Sequence, residues 1–149
     1  MTTVQTSHYE SDFALWVENT VAQLKSQNFQ QVDWVNLIEE VESLGQSQRS
    51  SVRSYLVRLL EHLLKRCYVA IPDCHRGLEI EIRNFCQRLI FELEDSPSLK
   101  NFMLEILPKC YGMALETVKD SYPQVIFPEN CPFPSQIESL LKDKFWQKN

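Results

Sequence analysis

Glycine is scarce: three occur in 149 residues, too few for the turns that a chain of many short strands requires. No apolar run approaches the ~20 residues of a bilayer span, and no basic stretch followed by an apolar one opens the chain, so neither a membrane segment nor a signal peptide is expected and a cytoplasmic protein is. The five cysteines, Cys67, Cys74, Cys86, Cys110 and Cys131, are odd in number, scattered, and form no Cys-x-x-Cys pair. That spacing belongs to reduced thiols and not to a disulfide framework. Also missing are Gly-x-x-x-x-Gly-Lys, Gly-x-Gly-x-x-Gly and Gly-x-Ser-x-Gly, which leaves nucleotide binding, dinucleotide binding and α/β-hydrolase chemistry without support. There is no alternating strand pattern, internal repeat or low-complexity tract.

What is present is a chain of one-domain length, 1–149, able to bury a core unaided. Its net charge of −5 is unevenly laid out. Residues 1–44 hold one Lys against seven acids, net −6, whereas residues 45–90 hold eight Lys or Arg against four acids, net +4. Arg49, Arg53, Arg58, Lys65, Arg66, Arg76, Arg83 and Arg88 make that middle third a local basic surface. The simplest use for it is to face the acidic first helices, within the chain or across a dimer. Nucleic acid is disfavoured as a partner by the overall charge and by the lack of aromatic-basic interleaving.

Helical periodicity runs through the chain. Tyr9, Phe13, Trp16, Val17, Thr20, Val21 and Leu24 recur at three- and four-residue steps, which predicts a helix from about 8 to 27 with Ser7 and Glu10 as a capping box. Asp33 is suited to cap a second helix. From Trp34 the stripe Trp34, Leu37, Ile38, Val41, Leu44, Val52, Tyr55, Leu56, Leu59, Leu60, Leu63, Leu64 keeps phase through Gly45 and Gln48. Two readings follow: one long helix over 33–69, which the phase favours, or a hairpin turning at Gly45. Pro72 ends this element. Another helix carries Leu78, Ile82, Phe85, Leu89 and Leu93. Ser96-Pro97 reads as the start of a further one, which Pro108 should kink or divide. Four prolines over 122–134 predict an extended segment across the helices, and a short helix from Ser135 to about Phe145 should bury Ile137, Leu140 and Leu141. The fold class is all-α, a bundle of five to six helices with one long central helix.

Several pieces, in order, resemble a bacterial family of unknown function, the domain numbered 29: Tyr9-Glu-x-Asp12-Phe with Trp16; Asp33-Trp with Glu39-Glu40-Val-Glu-x-Leu44-Gly45; His62-Leu-Leu-Lys65; Asp95-Ser-Pro-Ser-Leu99; Tyr111 with Ala114; and Phe127-Pro-Glu-x-Cys131-Pro132. The resemblance covers about residues 9–133. It implies an α-helical bundle of cytosolic bacterial origin and brings no activity with it. Where the family pattern has a tryptophan and then a Gln-Arg pair early in the third main helix, this chain has Leu78 and Phe85-Cys86, a change from polar to apolar that points to a structural or binding role.

Glu39, Glu40, Glu42 and His62 are the ingredients of a carboxylate and imidazole metal site inside a bundle. The specific signal would be a repeated Glu-x-x-His, and it is absent. On one long helix, moreover, Glu40 and His62 stand roughly 33 Å apart and share no ion within one chain. The reading taken forward is a helical protein that binds another protein, or itself, through the long helix and its charge-segregated surface, with no cofactor implied. The alternative is a divalent-metal hydrolase that uses Glu39, Glu40 or Glu42 with His62.

Overall fold

In a computed structural model that describes residues 8–147, the chain is all-α, with five α-helices and no strand among those residues. The first helix, α1 (Phe13–Lys25), begins where Asp12 takes the N-cap: its carboxylate accepts the Leu15 N–H at 3.1 Å, satisfying a donor that a helix start leaves open. The expected start near residue 8 is therefore too early, since residues 8–11 form a turn. Ser7, expected as the cap, lies outside the described residues. After Lys25 the chain reverses through Gln27, which has a left-handed φ of 60°, and a 3-10 turn at Phe29–Gln31 leads to the second helix.

That helix, α2 (Trp34–Tyr68), is one element of 35 residues. The hairpin at Gly45 does not form. A Cβ placed on Gly45 meets nothing within 4 Å, so the position is an open site on a helix surface, where glycine costs only ~1 kcal/mol. Asp33 starts α2 as its side chain suggests, accepting the Asn36 N–H at 3.3 Å and the Asn36 side-chain amide at 2.7 Å.

Pro72 is the first residue of α3 (Pro72–Asp95), a place where its missing N–H is not needed. The next helix, α4 (Leu99–Ser121), starts two residues later than Ser96-Pro97 implied. The Ser96 hydroxyl is engaged elsewhere, accepting the Gln48 side-chain amide at 3.1 Å. Pro108 does not divide α4. It lies on the exposed side, next to buried Leu107 and two residues before buried Cys110. The Leu104 carbonyl deprived of its partner belongs to a residue 39% exposed, and burial on the other face of α4 offsets the ~3 kcal/mol that an internal proline costs. Residues 122–136 form turns and bends. The final helix, α5 (Ile137–Lys142), is shorter than expected but buries Ile137, Leu140 and Leu141 as its spacing requires.

The described residues divide into two compact units, one ending at Ser47 and one beginning at Gln48. In the second, Val52, Leu56, Leu59 and Leu63 of α2, Ile82 and Leu89 of α3, Met103, Leu107, Ala114 and Val118 of α4, and the three apolar residues of α5 make one continuous core. Phe127 and Phe133 join it from the proline-rich stretch. The first unit is much thinner: its buried apolar residues are Trp16 and Val32.

Candidate functional site

The first unit gathers two of the six stretches that carried the family resemblance, Tyr9 to Trp16 and Asp33 to Gly45. Trp16 donates its indole N–H to Asp33 at 3.4 Å, and the Tyr9 hydroxyl donates to Glu40. Tyr9, Phe13 and Trp16 pack ring against ring with centroids 5.0 to 5.9 Å apart. The hydrogen bond to Glu40 raises the Tyr9 phenol to about 12, helped by burial and by the charges of Glu40, Glu39 and Asp33. An aromatic cluster tied to carboxylates joins the chain before α1 to the first turns of α2.

Beside this cluster α2 presents an uncovered apolar stripe. Trp34 is 44% exposed, Ile38 54%, Val41 58% and Leu44 71%. Further along the same helix and in the same phase, Val52, Leu56, Leu59 and Leu63 are 0 to 1% exposed. Two apolar stretches of one helical phase, separated by the polar residues 45–51, thus differ: the second packs into the core with α3 to α5, and the first is open. Gln48 stands at the change, donating to Glu92 at 3.2 Å and to Ser96 at 3.1 Å, which closes the end of the core with polar contacts. On α1, Phe13, Val17 and Val21 are also between 39% and 49% exposed.

The residues considered for a metal site have separate engagements. Glu39 and Glu42 are exposed, and Glu40 holds Tyr9. His62 lies in the second unit with Nδ1 2.7 Å from the Arg58 carbonyl and Nε2 3.1 Å from the Glu81 carboxylate, its ring edge-on to Phe85. Both ring nitrogens face oxygen atoms, and the contact with Glu81 ties α2 to α3. On α3, Glu79 is bonded to Arg66 at 2.9 Å, and the buried His75 Nε2 has no hydrogen-bond partner among the described residues. Among the described residues no three His, Cys, Asp or Glu side chains are grouped so as to hold a metal ion. The cysteines are free, and burial pushes the thiols of Cys67, Cys86, Cys110 and Cys131 up, Cys86 to about 11. Neutral thiols are poor nucleophiles.

The basic middle segment is held largely by aromatic rings. Arg49 and Arg53 both lie over Phe102, at 5.5 and 6.0 Å, Arg66 lies over Trp146 at 5.6 Å, and Arg88 over Tyr55 at 5.3 Å. Along α3, facing α5 and the residues after it, runs an open groove of about 500 Å³ edged by Arg76, Arg83, Lys142 and Lys144.

Comparison with protein families gives a match to the domain of unknown function DUF29 over residues 8–146. The chain belongs to this family. Comparison with curated proteins and with solved structures gave no match. In this DUF29 chain Tyr9, Trp16, Asp33 and Glu40 are brought together in the first unit, whereas His62 contacts Glu81 of α3 in the second. Sequence reasoning missed the Tyr9 to Glu40 bond and the groove on α3, since both depend on how the helices are placed. Sequence periodicity showed the apolar stripe of α2, but which part of it other helices cover is read only from the structure. No helix among the described residues is long and apolar enough to cross a membrane.

Proposed function

We propose that this protein works by binding protein, with a second copy of itself as the partner, through the uncovered stripe of α2. The observation that carries this reading is the change along one helix from side chains 0 to 1% exposed to side chains 44 to 71% exposed, with the helical phase kept across the polar stretch 45–51 between them. A unit this small is in the range where a chain usually needs disulfides, a metal or association to be stable. The first unit contains no cysteine, and it leaves more large apolar side chains open than it buries. Covering Trp34, Ile38, Val41 and Leu44, which are 44 to 71% exposed, would recover for each roughly half of the ~1.5–3 kcal/mol that burying a fully exposed apolar side chain brings. Glu40 and Glu42, on either edge of the stripe, supply the charged rim of an interface with an apolar centre.

Light scattering of the wild-type chain beside an Ile38→Glu, Val41→Glu double variant tests the proposal. Both positions are exposed, so the monomer should fold unchanged, which circular dichroism checks. Two carboxylates carried into an apolar contact should weaken association by roughly a hundredfold or more, ~3 kcal/mol. The wild-type mass should rise with concentration toward twice 17.5 kDa while the variant stays at the single-chain mass. A wild-type chain monomeric at every concentration would contradict the proposal.

A further inference from the structure

We infer that the surface receiving the α2 stripe is the groove along α3 of a second copy, an acidic apolar helix lying in a basic-rimmed trough. This rests on the self-association reading above and adds its counter-surface. The groove is floored by Ile82, Cys86, Leu141 and Trp146. A second cavity of about 320 Å³ shares Ile90, Leu141 and Lys142 with it and extends it to Glu94 and Pro97. The two follow α3 from Arg76 to Glu94, roughly 27 Å along the helix axis at 1.5 Å per residue. A compact ligand would fill one end. A trough of that length and apolar floor matches the helix-in-groove mode of recognition, and the eleven residues Trp34 to Leu44 span roughly 16 Å.

Charge selects the occupant. Arg76, Arg83, Lys142 and Lys144 all edge the groove and none forms an ion pair among the described residues. Of the carboxylates beside them, Glu79 is bonded to Arg66 and Glu138 to Lys100, which leaves Asp143 and Glu94 against four cations. The trough is therefore basic on an acidic protein. The α2 stripe has the opposite character: Glu39, Glu40 and Glu42 lie between its apolar residues, and no Lys or Arg occurs from Trp34 to Leu44. Opposite potentials of this kind steer encounter and fix register more than they add affinity. Each contact joins a stripe to a groove, and two of them related by a two-fold axis would make one isologous interface that closes a dimer.

A mixing experiment separates this from the reading beneath it. One variant, Ile38→Glu with Val41→Glu, has a spoiled stripe and an intact groove; the other, Arg76→Glu with Arg83→Glu, has the reverse. All four positions are exposed, and circular dichroism confirms that both variants fold. Each alone should remain at the single-chain mass in sedimentation, and a one-to-one mixture should associate measurably, more weakly than the wild type, because one of the two stripe-to-groove contacts is then intact. Association of the groove variant alone at wild-type strength would overturn the groove and leave the stripe reading standing. A mixture that associates no more than either variant alone would also overturn the groove. A monomeric wild-type chain would overturn both.

Discussion

Tyr9 shows how single side chains organise the first unit. Its hydroxyl is committed to Glu40, and the bond, with burial and the nearby acids, raises its pKa from 10.0 to about 12. Folding therefore favours the neutral phenol. The stabilisation this brings is fully present below the unfolded pKa of 10.0 and is lost as pH climbs through about 12. In a tyrosinate absorbance titration, the difference between the wild-type chain and Tyr9→Phe should show one phenol titrating near pH 12, and a midpoint near 10 would contradict the bond. Leu59 supplies the contrast in the second unit. It is 0% exposed, and Leu59→Ala should cost ~2–5 kcal/mol in urea unfolding, because the close-packed core cannot collapse fully into the space left. Val41→Ala, at a position 58% exposed, should shift monomer stability by no more than ~0.5 kcal/mol.

At the level of elements, α2 decides most of what the molecule offers. Its continuity was legible in the sequence because Val41, Gly45, Gln48 and Val52 keep one helical phase, and phase outweighs a single glycine. Gly45→Ala tests that account: with nothing within 4 Å of the added Cβ, it should stabilise the chain by ~1 kcal/mol, whereas a turn at Gly45 would make it destabilising. The start of α1 was misplaced because a turn at 8–11 shares the apolar spacing of the helix that follows, and only the bond from the Leu15 N–H to Asp12 separates them. Asp12→Ala should accordingly cost ~1 kcal/mol. Pro108 misled in the other direction. Local propensity predicts a break, but a proline on the outer face of a helix anchored by Met103, Leu107, Cys110 and Ala114 is tolerated. The candidate site was less legible than the fold. Glu39, Glu40, Glu42 and His62 were picked out for their chemistry, yet Glu40 is bonded to Tyr9 and His62 to Glu81, pairings that no spacing along one chain reveals.

For the whole molecule, two features of the sequence acquire a physical reading. An acidic first third and a basic middle third coexist on a chain of net charge −5, and an apolar stripe outruns the helices that seal it. Both are accounted for if copies associate, with the stripe of one chain covered by the other. Hydroxyl-radical footprinting at low and high protein concentration tests this most directly, because it reads the side chains in question. Trp34, Ile38 and Leu44 should become protected as concentration rises, while Ile126, 90% exposed and outside the proposed contact, should keep its oxidation rate and serve as the internal reference. Oxidation of the stripe that is the same at both concentrations would contradict the account.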